Sequence, residues 1–307
     1  MANLRDIRNR INNAKSSEKI TQSMKTISTA RLANIKVIKN NTNNYFRQNE
    51  IIFDYLFQKH QSLVQTDNNY LYTSNDTSTV LIIIYTSERG LCGSYNNNVL
   101  KKLTTLTNDL QTKNRQFKIL AFGKKGYSFI TSRYKKEEII DITYPLEIKK
   151  VSSNDILFLS NYILSLLDSG KIGQVEIIHT HFINALKQEL RHKIVIPITK
   201  DPQNETKESP KQESQIQNEQ SNPYIVSDDY FLPNIQKNLV STYIYNHLYK
   251  NLIRSILSEQ SARVSAMDNA YNNAKDLIKA LVLDYNRKRQ SLITKELIEI
   301  ISGAEAL

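Results

Sequence analysis

The run Met267-Asp-Asn-Ala-Tyr271-Asn-Asn-Ala274-Lys-Asp-Leu-Ile278-Lys-Ala-Leu281-Val-Leu-Asp-Tyr285 decides the architecture. Its anchors Met267, Tyr271, Ala274, Ile278, Leu281 and Tyr285 are spaced 4, 3, 4, 3 and 4, an a/d heptad register held for nearly three heptads. From Pro233 onward neither Pro nor Gly occurs until Gly303, which stands where a helix can stop. At about 1.5 Å per residue, such a helix is on the order of 100 Å long. It cannot fold back on a core of its own. It needs a second helix along its flank.

The only long candidate is at the other end of the chain. From Asn3 to Phe57 there is no Pro or Gly, and apolar residues fall at Leu4, Ile7, Ile11 and Ala14, then Ile20, Met24 and Ile27, then Ile35 and Ile38. Steps of three and four make a helical stripe, too thin for burial in a globule and suited to a coiled-coil seam. The termini therefore read as an antiparallel coiled coil, with residues 1–57 against residues 234–302.

Between them, residues 78–199 alternate in the α/β manner. Thr79–Thr86 is a buried-strand run, followed by a loop over Ser87–Tyr95 and a helix from about Asn96. Phe117–Phe122 is a second strand, a helix is expected near Asn154–Leu167, and Val175–Phe182 and Lys193–Ile198 complete the strands. Strand, crossover helix, strand predicts a sheet with parallel pairs. The expected fold class is thus α/β: a long antiparallel coiled coil of N- and C-terminal helices flanking a small Rossmann-like α/β domain. Residues 200–223 are nearly all polar and cannot offset the entropy of ordering, so they are expected to form a mobile loop.

Composition narrows the function. A single cysteine, Cys92, excludes an internal disulfide and a cysteine-based zinc site, and suits a reducing compartment. No stretch reaches the roughly eighteen apolar residues of a membrane span. The formal net charge is +11, and residues 1–40 hold nine Lys and Arg against Asp6 and Glu18. That basic segment could be mistaken for a mitochondrial transit peptide.

The chemical motifs are sparse. Gly90-Leu-Cys-Gly93 lies between a strand and a helix, where a phosphate-binding turn belongs, and Gly123-Lys-Lys-Gly126 is placed similarly. Neither carries the lysine and hydroxyl of a P-loop or the third glycine of a dinucleotide fingerprint, so both read as tight turns. His179 and His181 share one face of a strand as two metal ligands would, without a third ligand at a recognisable spacing. Ser87-Glu-Arg89 has no identifiable base and orienter. No catalytic residue, cofactor or metal site is expected.

At the termini the residues become specific. Leu4-Arg-Asp-Ile-Arg-Asn-Arg-Ile11 and Lys19-Ile-Thr-Gln-Ser-Met-Lys25 resemble the start of the γ subunit of F-type ATP synthases. Ala266-Met-Asp-Asn-Ala270, Tyr285-Asn-Arg-Lys-Arg-Gln290 and Ile293-Thr-Lys-Glu-Leu-Ile-Glu-Ile-Ile-Ser-Gly-Ala-Glu-Ala306 resemble that family's C-terminal helix and signature, and Glu88-Arg-Gly-Leu-Cys-Gly93 its central loop. The resemblance implies that the basic N-terminal segment is mature protein. It also implies a rotor shaft inside a ring of three α and three β subunits, its C-terminal tip in an apolar bearing. The α/β domain would be a foot, resting with an ε-type subunit on the c ring and driven by protons or sodium ions. The location implied is peripheral, on the cytoplasmic face of a bacterial inner membrane or the matrix face of the mitochondrial one.

Carried over by resemblance, Arg289 and Gln290 match the pair that engages a catch loop on β, and Thr294 and Glu296 match nearby coupling positions. Met24, with Lys25 beside it, matches the position near β's acidic lever loop, and Arg89 is added as a contact to the ring. Lys295 departs from the Gln common in relatives, and a chloroplast-type thiol switch is not expected with Cys92 alone. Nucleic acid is not an expected partner on this reading. The alternative reading is a basic coiled-coil scaffold or nucleic-acid-binding protein drawn to its partner by the +11 charge.

Overall fold

The computed structural model describes residues 4–59, 79–147, 151–184, 187–198 and 233–305; the expected loop at 200–223 lies outside them. Two helices dominate. Helix α1 spans Leu4–Lys59 and α5 spans Pro233–Glu305, and they run antiparallel, with Phe53 stacked on Tyr243, Glu50 paired with Lys250 and Lys25 with Asp268. Near the far end of the pair Ile7, Ile11 and Ala14 close over Leu281, flanked by Ile278 and Tyr285. Helix α5 continues through Gly303 to Glu305, beyond the glycine at which the sequence suggested a stop.

The seam on α1 differs from the apolar stripe. Among the buried and half-buried positions, Ile7, Ile11, Ala14, Glu18, Thr21, Lys25, Ser28, Leu32, Ile35, Lys39, Thr42, Phe46, Asn49 and Phe53 form an unbroken 4-3 alternation, with Leu4, Met24, Ile38, Glu50 and Ile52 half-buried beside it. Ile20 and Ile27 lie off this frame and are 59% and 55% exposed, whereas Ser28 is 3% exposed. Register is kept by geometry even where the residue at the seam is polar. The hydroxyls of Thr21 and Thr42 are satisfied inside the helix, by the carbonyls of Ser17 and Ile38.

Between the helices lies a five-stranded sheet of order β3-β2-β1-β4-β5. Its strands are β1 (Val80–Tyr85), β2 (Phe117–Phe122), β3 (Ile139–Tyr144), β4 (Gln174–Phe182) and β5 (Gln188–Ile196). The first four are mutually parallel where they pair, and β5 is antiparallel to β4. Central β1 is buried along its whole length, which is why it reads as a continuous apolar run. Edge strands β3 and β5 bury less. Their sequences, Ile-Ile-Asp-Ile-Thr-Tyr and Gln-Glu-Leu-Arg-His-Lys-Ile-Val-Ile, are mixed, so β3 escaped the sequence reading and β5 begins five residues before Lys193.

Three shorter helices complete the foot: α2 (Tyr95–Thr112), α3 (Lys124–Arg133) and α4 (Ser153–Asp168). Side chains alternate across each strand. Ile82, Ile84, Ile119 and Ile178 meet Val99 and Leu103 of α2 and Ile130 of α3. On the opposite face Leu81, Ile83, Tyr85, Leu120 and Ile177 meet Ile156, Leu159 and Ile163 of α4, Leu248 and Leu252 of α5, and Leu32 and Phe46 of α1. The shaft's own helices therefore form one layer of the foot. Tyr85 is tied to this layer by a hydrogen bond from its hydroxyl to the Leu248 carbonyl at 3.0 Å.

Leu32→Ala, which empties a seam position inside the main core, is expected to cost about 2–3 kcal/mol in chemical denaturation followed by circular dichroism. Ile20→Ala should stay within about 0.5 kcal/mol of the parent. Equal losses at both positions would mean that Ile20 belongs to the seam after all.

Candidate functional site: two contact tiers on the shaft

The seven residues singled out for partner contact fall into two groups along α5. The lower tier is where the foot meets the shaft. There Lys25 Nζ lies 2.5 Å from Asp268 Oδ1, and Met24 is half-buried beside it. Five residues away on α5, about 7–8 Å of helical rise, Arg263 Nη2 donates to the carbonyl oxygens of Arg89 and Gly90, both at 3.2 Å. The Arg89 side chain itself is exposed. Met24, Lys25 and Arg89 are thus brought to one level, by three elements remote in sequence.

The upper tier stands alone. Arg289, Gln290, Thr294 and Glu296 are all exposed, on the part of α5 that projects past the start of α1. From Asp268 to Arg289 is 21 residues, so the tiers are separated by about 32 Å of helix. Among the described residues, the bonds from Arg289 to the helix end are local, such as Thr294 Oγ1 to the Gln290 carbonyl at 2.9 Å and Lys295 to Glu299 at 3.5 Å. Leu292, Ile293, Leu297, Ile298, Ile300 and Ile301 are each more than 40% exposed there. Such a surface is costly in isolation and suits an apolar enclosure.

The glycine loops take different work. In an open α/β sheet, ligands bind beyond the carboxyl ends of the strands, where the strand order reverses. Here that point is the end of β1, and α5 lies against it: Ala262 packs on Cys92 and Tyr95, and a Cβ on Gly93 would lie 3.8 Å from the Ala266 Cβ. At the neighbouring turn Gly123 has φ +87, and a side chain there would collide with the Thr86 carbonyl. Both loops are close-approach turns. Burial raises the Cys92 thiol above its usual range, against the pull of a hydrogen bond with Ser87.

Sequence reasoning did not find Asp268, Arg263 or Glu259. A charged residue beside a heptad seam has no signature of its own until its partner across the seam is known. Asp268 adjoins the anchor Met267, which was the available clue.

His179 and His181 do share a face of β4, the one turned toward α5, and both are buried. Among the described residues neither ring nitrogen of His179 has a hydrogen-bond partner. Among the described residues no three His, Cys, Asp or Glu side chains are grouped to hold a metal ion. Burial, and then the nearby cations Arg254, Arg191 and Lys193 with His181, hold His179 well below its usual pKa of 6.5. On α5, His247 is depressed by burial, then by Lys193, Lys250, Arg254 and His179. Glu50 and Asp54 of α1 are the acids facing this cluster.

Comparisons with known proteins identify the family and the fold. A family model described as ATP synthase matches residues 3–307. The ATP synthase gamma chain of Helicobacter pylori (strain Shi470) is 34% identical over 317 residues, covering 100% of both chains. That of Rickettsia typhi is 33% identical over 311 residues, again 100% of both. In fold, the chain superposes on a chain of the Euglena gracilis mitochondrial ATP synthase OSCP/F1/c-ring structure with a TM-score of 0.63 at 18% identity, covering 99% of this chain and 94% of that one. A chain of the Tetrahymena thermophila mitochondrial ATP synthase central stalk/c-ring structure gives a TM-score of 0.57 at 20% identity, covering 82% and 99%. The class is that of ATP synthase proteins. Within it, the chain belongs to the ATP synthase gamma chain family, and nothing in these comparisons supports the nucleic-acid or scaffold alternative.

The histidine cluster yields a pH prediction. A depressed folded-state pKa contributes stability that is complete above about pH 6.5 and lost as pH falls below it. The slope approaches about 1.4 kcal/mol per pH unit for each imidazole. The melting temperature of the parent should therefore fall more steeply between pH 7.5 and 5.5 than that of the His179→Gln/His247→Gln variant. Parallel curves would show that these imidazoles do not titrate with unfolding.

Proposed function

We propose that the chain is the non-catalytic shaft of a rotary ATP synthase, which converts turning of a c ring into conformational cycling of catalytic β subunits. The observation that carries this reading is the bare projection of α5 past α1, with Arg289 and Gln290 at its base and an apolar tip beyond. A helix end shaped in this way has no covering helix among the described residues, and full-length membership of the gamma chain family supplies a partner. The relatives in solved structures come from F1/c-ring and central stalk assemblies.

On this reading the upper tier touches the β catch loop. A guanidinium and a side-chain amide give directional hydrogen bonds that can form and break at each step. Thr294 and Glu296 lie within two turns of that pair and tune the same contact. At the lower tier Met24, Lys25 and Arg89 face the lever loops of β, whose acidic character suits the basic α1. One asymmetric surface then meets three chemically equal sites, binds each differently, and so biases their conformational equilibria.

The foot rests on the c ring with an ε-type subunit beside it, coupled to proton or sodium flow. No helix among the described residues is long and apolar enough to cross a membrane. The membrane association proposed is therefore peripheral, through the ring, on the cytoplasmic face of a bacterial inner membrane or the matrix face of the mitochondrial one.

Co-expression with α and β subunits of the same organism is expected to return an ATP-hydrolysing complex of about three α, three β and one copy of this chain. In the membrane-bound enzyme, Arg289→Ala with Gln290→Ala should lower coupled ATP synthesis by at least about tenfold, a loss of about 1.4 kcal/mol or more, while assembly persists. Unchanged synthesis in that variant would remove the pair from its assigned role.

A further inference from the structure

The layer of the foot turned away from the shaft is its basic side. Residues 95–138, which hold α2, β2 and α3, contain ten Lys and Arg against Asp109, Glu137 and Glu138. They carry seven of the chain's eleven net positive charges. Helix α4, on the opposite face of the sheet, has no Lys or Arg. Packing of the basic layer on the sheet is apolar, through Val99, Leu103 and Ile130, and does not account for the charge. A one-sided charge of this size concentrates anions at the surface that carries it.

Within that layer a groove of about 540 Å³ runs between α2 and α3, a volume in the range of small-molecule sites. Half-buried Leu100 and Phe129 form its floor, and Lys101 of α2 and Arg133 of α3 stand on its two walls. Both cations are exposed, the guanidinium lies over the Phe129 ring at 5.7 Å, and neither is ion-paired among the described residues. No carboxylate is in the lining. Asn97 and Asn108 lie toward its ends, about 16 Å apart along α2, with Thr104 and Thr105 between them. Each threonine hydroxyl donates to a carbonyl of its own helix, at 3.0 and 3.1 Å, and keeps lone pairs with which to accept. The two helices are tied together by the hydroxyls of Thr107 and Tyr134, 3.0 Å apart.

Those features select a ligand. Two cations on facing walls suit phosphate groups. A half-buried aromatic ring with a guanidinium over it suits a flat, π-rich body, because bases stack on both. Amides, with a donor and an acceptor each, suit the polar edge of such a body. Inorganic phosphate would leave the ring unused, and a fatty anion would leave the amides unused. We propose that the α2–α3 groove binds a nucleoside diphosphate or triphosphate, with its base against Phe129 and its phosphates between Lys101 and Arg133. The groove lies on the layer opposite α1 and α5, so this binding goes beyond the shaft reading and does not depend on it.

Calorimetric titration of the full-length chain with ADP is expected to show one site. Pyrophosphate should bind at least about tenfold more weakly, for want of a base to stack. Phe129→Leu keeps the apolar floor but removes the ring, and should weaken ADP about tenfold or more while leaving pyrophosphate unchanged. Lys101→Glu with Arg133→Glu should lower the affinity for both ligands about a hundredfold or more. Lys113→Glu, in the same basic layer but outside the groove, should change ADP binding by less than about threefold. Circular dichroism checks that each variant is folded. In the complex with α and β subunits, an azido-adenine analogue of ADP should label a peptide of this chain that contains Phe129. Equal affinity for ADP and pyrophosphate overturns the proposal, as does ADP binding untouched by Lys101→Glu with Arg133→Glu. Absence of binding at millimolar ADP overturns it too. So does a single-stranded RNA that displaces ADP and binds more tightly, which would make the layer a nucleic-acid surface.

Discussion

A helix of 73 residues cannot bury its own apolar stripe, and everything else in this chain follows from the need to cover it. The cover is α1, drawn from the other end of the sequence and held in an unbroken 4-3 frame from Ile7 to Phe53. Because the chain's two ends form the rod, the intervening residues have to leave it and return. The foot is therefore an insertion between two strands of a coiled coil, with α1 and α5 reused as one of its layers. That reuse joins the long rod and the small sheet through a single continuous core.

The same sharing decides what the sheet can do. A strand order that reverses at β1 ordinarily leaves a crevice for a ligand. Here α5 lies across that crevice, with Ala262, Arg263 and Ala266 where a cofactor would approach the loop. The place of chemistry in other sheets of this kind is filled here by a helix contact. The sheet's polar burden sits nearby, in His179, His247 and the cations around them, at the seam between β4, β5 and the shaft.

Much of this was legible in the sequence, for identifiable reasons. The anchors from Met267 to Tyr285 predicted the α5 seam, because in that stretch the seam residues are themselves apolar. On α1 the inference from apolarity failed at Ile20 and Ile27. There the frame is carried by Glu18, Thr21, Lys25 and Ser28, which only a strict continuation of the spacing from Ile7, Ile11 and Ala14 would have picked out. The central strands declared themselves as continuous apolar runs. Of the edge strands, β3 did not and β5 did so only from Lys193 onward, since an edge buries too little to force a pattern. Of the contact residues, those on the projecting tip could be named from family resemblance alone. The hydrogen bonds of Arg263 could not be, because its partners are two backbone carbonyls, and a carbonyl carries no sequence signature.

The change from two helices to one at the top of the rod has a further consequence, in the shape of its outline. A pair of helices is oblong in cross-section, about twice as wide along one axis as along the other, and presents a different profile at each angle. Past Arg289 the rod is a single cylinder about 10–12 Å across, with Leu and Ile distributed around most of its girth. On the shaft reading proposed above, a collar around the apolar tip centres the rod, while the oblong part and the polar side chains from Arg289 to Glu296 carry the angular information.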